Sequence, residues 1–331
     1  MPLVSVILPT YNRSRFLPDA FASIEQQTLQ DWELILVDDG STDDTASVVG
    51  EWQSRIPQPV KFFRQENRGA YGARNMGLDH AEGELVAFFD SDDLWLPHHL
   101  ADCAKALRDN ADVDWVYGSC RILDYQSGQV LAPDTFLTDG APRPFKRLPA
   151  EARGPLHVLP QRGLVECALL QGLHCGLQNS VLRRNIFVTA RFEAALRNEA
   201  EDQLFVIRAI KHGHRIGYLD NVHVQYHVHD SNSSGSATGP VSLDRQRRLL
   251  EPLVRGFEHF REECALTPSE LVALKRRLHR ECFWHLGYSV FKARGMYGDA
   301  LSWFRRGLRE WPWSARAWKT YAVTTVQALM R

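Results

Sequence analysis

The chain has 331 residues, 44% of them hydrophobic, and a formal net charge of −1. That length can bury a substantial core, as two domains or as one large domain with an appendage. The near-neutral balance gives no basic field for nucleic acid, and no apolar run is long enough to span a bilayer.

The opening "MPLVSVILPTYNR" has no basic leader and reads as a first strand rather than a signal peptide. It ends an apolar run on Pro9, which suits a strand covered on both faces. "RFLPDAFASIEQQT" places Phe16, Leu17, Ala20, Phe21 and Ile24 at helical spacing. "WELILVDDGSTDDT" repeats the plan: a strand over Glu33–Val37, an acidic turn, then a helix opened by Ser or Thr caps near Ser41–Thr45. "VKFFRQ" predicts a third strand, "GAYGARNMGLDHA" a helix after a glycine-bearing turn, and "ELVAFFD" a fourth strand. Strands alternating with helices predict an α/β fold with a mostly parallel sheet and ligands at the strands' carboxyl ends.

Beyond Ala101, "DVDWVYGSCRILD" suggests a strand pair or hairpin turning at "QSGQ". Residues 131–165, rich in Pro, Gly and Arg, suggest a long functional loop or irregular insertion. "CGLQNSVLRRNIF" and "EAEDQLFVIRAIKHG" resume strand and helix patterns, and "RIGYLDNVHVQYHVHD" predicts a strand pair with alternating histidines. "SNSSGSATG" is the best candidate for a linker or mobile loop, and everything after about Val241 reads as helix. The six cysteines (Cys103, Cys120, Cys167, Cys175, Cys264, Cys282) form no CxxC pair, which points to reduced thiols and a cytoplasmic protein. Peripheral attachment at the inner face of the membrane is a second option.

Three polar clusters follow three strands, "PTYNR", "VDDGS" and "DSDD", so a parallel sheet would bring them to one edge. In "LVAFFDSDDLW" three carboxylates close a buried strand with no Lys or Arg among them. A divalent cation between them relieves their repulsion, since hard cations prefer oxygen ligands and complete their shell with water and phosphates. Mn²⁺ or Mg²⁺ bridging a diphosphate is the expectation. Asp39 can accept hydrogen bonds from a base or ribose, or serve a turn. In "ENRGAYGARNMGL", Arg68 and Arg74 can meet phosphates or be ordinary surface or capping arginines; no GxGxxG or Walker loop is present.

"SVILPTYNR", "ELILVDDGSTDDT", "NRGAYGARNMGL" and "AFFDSDDLW", in that order and spacing, resemble glycosyltransferase family 2 enzymes of GT-A fold. The resemblance covers residues 3–125 strongly and 165–235 more loosely. It implies inverting transfer of a sugar from a nucleotide-diphosphate sugar, usually UDP-linked and metal-dependent, to a hydroxyl of a carbohydrate or glycoconjugate. It implies that Pro9, Tyr11 and Asp39 hold the base and sugar; Arg13, Arg68, Arg74 and Ser91 are further candidates for donor binding. Asp90 would touch ribose or metal, and Asp92 would be the principal metal ligand. Inversion needs a general base for the acceptor hydroxyl. The resemblance assigns it to Asp202 in "EAEDQL", with Glu201 as neighbour and candidate acceptor contact. On pattern alone those acids could simply decorate a helix's first turn.

His227 and His229, two apart on a strand, would face one way, and His229 is the preferred metal or diphosphate contact. His174, Gln178 and Asn179 are candidates for the acceptor side. The expected division is a catalytic domain over residues 1–235 (1–125 nucleotide-sugar half, 126–235 acceptor half) and a helical region over 236–331. Within the latter, Gly295, Tyr297, Ala300, Phe304 and Pro312 match the second half of a tetratricopeptide-like hairpin, whose first helix fits less well. Packing on the catalytic part is expected. A partner or membrane contact through Trp311, Trp313 and Trp318, interleaved with Arg309, Arg316 and Lys319 but interrupted by Glu310, is the alternative. Two rival functions are a nucleotidyltransferase, for which "PTYNRSRF" lacks a glycine-rich basic loop, and a non-catalytic nucleotide-sugar-binding scaffold.

Overall fold

The strand-helix alternation of the first hundred residues builds the centre of the molecule. The computed structural model describes residues 1–193, 201–230 and 242–330. Its strands are β1 (Val4–Thr10), β2 (Trp32–Asp38), β3 (Val60–Arg64), β4 (Leu85–Phe88), β5 (Leu94–Trp95), β6 (Trp115–Asp124), β7 (Val130–Ala132), β8 (Leu137–Thr138), β9 (Ala141–Pro142), β10 (Glu151–Arg153), β11 (Leu156–Val158), β12 (Ser180–Arg183) and β13 (Ile216–Val228). The α-helices are α1 (Leu17–Glu25), α2 (Thr45–Gln53), α3 (Gly69–Asp79), α4 (His99–Asp109), α5 (Leu164–Gln171), α6 (Ile186–Thr189), α7 (Glu201–Lys211), α8 (Leu243–Glu263), α9 (Pro268–His279), α10 (Tyr297–Glu310) and α11 (Ala315–Leu329).

Among the described residues the main sheet runs β10-β11-β13-β6-β12-β4-β1-β2-β3, with β5 and β7 added on β13 and β6. β3, β2, β1 and β4 are parallel, β12 runs antiparallel between β4 and β6, and β13 is parallel to β6. The β4-β1-β2-β3 part of the sheet is therefore parallel, with antiparallel pairings at β12, β10, β11, β5 and β7 around it, and the continuous apolar runs of β1 and β2 follow from cover on both faces. Side chains alternate as a strand requires: Val6, Leu8, Leu34 and Leu36 pack with α1, α2 and α4, while Ile7, Ile35 and Val37 join the other core. Gly77 lets α3 lie against β1, because a Cβ there would sit 2.4 Å from Ile7 Cγ2.

Three local expectations change. "RIGYLDNVHVQYHVHD" is one long strand, β13, whose register on β6 shifts twice between Leu219 and Val224, rather than a pair of strands. Residues 131–165 contain ordered pieces, and the β10–β11 hairpin widens the sheet beyond β13. The start of α2 is satisfied by Asp43, whose carboxylate accepts from the Thr45 amide and hydroxyl, and not by a Ser or Thr cap. The "SNSSGSATG" stretch lies outside the described residues.

The carboxy-terminal helices pack on the α/β part through one continuous apolar core: Leu169 of α5, Phe205 of α7, Phe257 and Phe260 of α8 and Leu274 of α9 are all buried in it. Between α9 and α10 the chain winds as a π-helix over Arg280–Phe291, with i→i+5 bonding that an α-helical repeat lacks. That explains why the first helix of the tetratricopeptide-like pattern fits poorly.

Candidate active site

The carboxyl ends of β1, β2 and β4 open on one cleft of about 1210 Å³, lined by Pro9, Tyr11, Arg13, Asp39, Arg74, Asp90, Ser91, Asp92 and Asp202 among others. These nine sequence-selected donor, metal and base candidates thus meet there. The first two loops are locked together by Asn12, held at φ +52°, whose amide donates to Ser41 Oγ (2.9 Å) and whose Oδ1 accepts from the Thr42 amide (2.8 Å). Sequence reading missed Asn12, although a polar residue able to adopt a left-handed backbone just after a strand is a turn signal.

Asp39 does structural work at the strand end. Its carboxylate accepts from Gln65 Nε2 (2.6 Å) and from the amides of Arg68 and Gly69 (both 2.8 Å), which satisfies donors at the start of α3. It also lines the cleft, so both of its expected roles coexist in one position. Arg68 is exposed and not a cleft-lining residue; its contribution to this cluster is its backbone amide.

In the acidic turn the three carboxylates part company. Asp92 Oδ2 lies 3.0 Å from His229 Nε2 and 3.6 Å from Arg13 Nε. Burial alone would raise its pKa, but the His229 hydrogen bond and the Arg13 charge outweigh burial and hold the carboxyl below its usual value. His229 is buried and stacked on Phe16 at 4.5 Å, which fixes its ring. His227 contacts the Asp92 backbone oxygen through Nδ1 (3.1 Å) rather than its carboxylate. Asp93 is buried, accepts from the His227 amide, and has its pKa driven well up by burial and by the charges of Asp92 and Asp90. It therefore ties the turn to β13 as an internal group.

Asp90 Oδ1 accepts from Arg74 Nη2 at 2.8 Å, and Arg74 Nη1 lies 3.5 Å from Asp202 Oδ1. One buried guanidinium from α3 thus links the acidic turn to the first turn of α7. Burial raises the pKa of Asp90, the Arg74 charge opposes this, and the charges of Asp92 and Asp202 add to the rise. Asp202 Oδ1 takes no hydrogen bond among the described residues, while the side chain as a whole is 46% exposed to the cleft. Glu201 does not reach the cleft and its expected acceptor contact is corrected. It is fully buried, paired with Arg208 Nη1 (2.8 and 3.0 Å), and accepts from the Glu193 amide. At the start of a helix, adjacent residues point about a quarter-turn apart, so only one of the two acids can face the site.

His174, Gln178 and Asn179 do line the cleft, and Cys175 beside them has its thiol pKa pushed far up by burial, which suits no nucleophile. The donor set fits a hard divalent cation: the Asp92 carboxylate, kept ionised next to the His229 imidazole, with Asp90 two residues away on the same turn.

A parallel β4-β1-β2-β3 centre whose acidic turns meet Arg13 and Arg74 around one cleft fits a GT-A-type glycosyltransferase fold. The family model described as glycosyl transferase family 2 matches residues 5–148. The succinoglycan biosynthesis protein ExoW of Rhizobium meliloti is 32% identical over 232 residues, 66% of this chain and 67% of that protein. The chain belongs to glycosyltransferase family 2. A Campylobacter jejuni GalNAc(5)-diNAcBac-PP-undecaprenol β-1,3-glucosyltransferase is 41% identical over 124 residues, and an Escherichia coli UDP-Glc:α-D-GlcNAc-diphosphoundecaprenol β-1,3-glucosyltransferase 36% over 135. Those matches cover 37% and 40% of this chain but only 39% and 51% of the relatives' own length. Two solved structures share the fold: Staphylococcus aureus TarS 1–349 in complex with UDP (TM-score 0.59, 20% identity, 93% of this chain and 81% of that one), and a Pyrobaculum calidifontis mannosyltransferase with GDP-Man and Mn²⁺ (TM-score 0.58, 22% identity, 99% and 81%).

Proposed function

We propose that this protein is an inverting glycosyltransferase that moves a sugar from a nucleotide-diphosphate sugar, UDP-linked by preference, to a hydroxyl of a growing glycan or glycoconjugate. The observation that carries the reading is the Asp90–Arg74–Asp202 chain, which holds the candidate base and the acidic turn at fixed spacing in one cleft. Pro9, Tyr11 and Asp39 form the wall for base and ribose. Asp92, with Asp90 and His229, would hold Mn²⁺ or Mg²⁺, which when bound neutralises charge on the departing diphosphate. Arg13 and Arg74 bring fixed positive charge to the same place. Asp202 accepts the acceptor's proton, and its exposure to the cleft gives that proton a route to solvent.

UDP at about 100 times its dissociation constant, with Mn²⁺, is expected to raise the melting temperature by about 5 °C, and EDTA to remove the shift. A panel of nucleoside diphosphates giving no metal-dependent shift would sink the proposal.

No helix among the described residues is long and apolar enough to cross a membrane. We further propose a cytoplasmic protein lying on an anionic membrane surface through α11. Its outward face shows Trp318, Val323, Val326 and Leu329, and Leu329 is 82% exposed. From Ser314 to Met330 the chain holds Arg316 and Lys319 and no acidic residue, and Glu310 is neutralised by Arg261 at 2.9 Å. An amphipathic helix with aromatic, aliphatic and basic residues outward suits an anionic lipid interface. Co-sedimentation with phosphatidylglycerol-rich vesicles is expected, weakened about tenfold by Val326→Glu and absent with phosphatidylcholine alone. Equal recovery of both proteins in the pellet would refute this contact.

A further inference from the structure

The cleft does not end at the donor turn. Its wall continues through Gln203 on α7, Leu250 and Leu253 on α8, Arg277 on α9, and Arg280, Glu281 and His285 on the π-helix. Asp202 stands between the two groups: Arg74 pairs with it on the donor side, and Arg277 Nη2 donates to Gln203, its chain neighbour, at 3.3 Å. The i→i+5 bonding of the π-helix brings residues four and five apart onto one face, which groups Arg280, Glu281 and His285.

The charges in this group do not cancel. Glu281, its side chain nearly buried, takes Arg277 Nε at 2.6 Å, Arg280 Nε at 3.4 Å and His285 Nδ1 at 2.5 Å. Two guanidiniums and an imidazole thus share one carboxylate and leave a net positive charge facing the cleft. Arg277 is also committed to the Leu169 carbonyl and Arg280 Nη1 to the Leu170 carbonyl, at the carboxyl end of α5. Those bonds anchor the arginines and orient their remaining donors. The Arg280 side chain is 39% exposed, and its Nη2 makes no hydrogen bond among the described residues.

We propose that Arg280, supported by Arg277, Glu281 and His285, forms an acceptor subsite that takes a phosphate group carried by the acceptor. This rests on the glycosyl-transfer reading and narrows it to phosphate-bearing acceptors. A guanidinium anchored at one end with free N–H donors at the other suits a phosphate, whose oxygens accept from two such donors at once. A neutral saccharide would leave the surplus charge uncompensated in a partly buried wall.

The test uses the full chain with the donor site filled by UDP and Mn²⁺. The affinities of four probes are measured by calorimetry: decyl diphosphate, glucose 1-phosphate, decyl glucoside and methyl glucoside. Both phosphate probes are expected to bind about tenfold or more tightly than their neutral counterparts, with Arg280→Gln removing the preference and Arg280→Lys restoring part of it. Binding of decyl diphosphate alone would identify a lipid headgroup as the source, and binding of both would identify any phosphate-bearing acceptor. Equal affinity for phosphate and neutral probes, or an unchanged preference in Arg280→Gln, overturns the subsite. Loss of the UDP response in the parent protein overturns the transfer reading and the subsite together, whereas loss in the variant only would show that Arg280 belongs to the donor site and also refutes the proposal.

Discussion

An Asp202→Asn protein is expected to bind UDP and metal as the parent does and to transfer sugar about a thousandfold more slowly. The substitution keeps the shape of the side chain and leaves an amide oxygen facing Arg74, so the link from α3 to α7 changes charge without leaving a cavity. It removes the carboxylate proposed to take the acceptor's proton beside the acidic turn. Donor affinity from calorimetry separates this loss from a folding defect. Transfer kept within about tenfold of the parent would place the base elsewhere. Glu201 is not a ready substitute, because its carboxylate is fully buried against Arg208 and does not line the cleft.

Asp92→Asn is expected to act earlier. An amide is a poor ligand for a hard divalent cation, and the variant also takes the carboxylate away from His229 and Arg13. The metal-dependent part of the UDP melting shift should vanish, and transfer should fall by about a thousandfold or more, as expected when several kcal/mol of charge stabilisation is lost. The two variants therefore differ in kind: one keeps the donor and loses the chemistry, the other loses the donor's anchor. A metal-dependent shift of parental size in Asp92→Asn would transfer the ligand role to Asp90.

The β1–β4 part of this molecule was legible because a single rule carried it. Apolar strands that end in polar turns converge wherever the sheet is parallel, so the pattern alone places Pro9, Asp39, Asp90 and Asp92 together. The same rule says nothing of where adjacent side chains point. Glu201 and Asp202 are equally acidic and next to each other, yet helix geometry sends one into an ion pair and the other into the cleft. Arg68 and Arg74 likewise share a stretch of sequence, but only Arg74 lies on the buried side of α3. Asn12 and Asp39 escaped full assignment for a different reason: their main tasks are to satisfy backbone amides of distant segments, a demand invisible in a linear pattern. The π-helix was hidden because its apolar spacing over so short a span is close to that of an α-helix.

The shared core beneath α5, α8 and α9 has a consequence for how such a protein can change over time. Phe257, Phe260 and Leu274 fill the same interior as Leu169 and Phe205, and the segment behind them supplies part of the cleft wall. The helical region is therefore not a cassette that recombination could exchange for another while the α/β part stays whole. Changes along this part of the cleft would have to arise by substitution at its lining positions, with the interior behind them held constant.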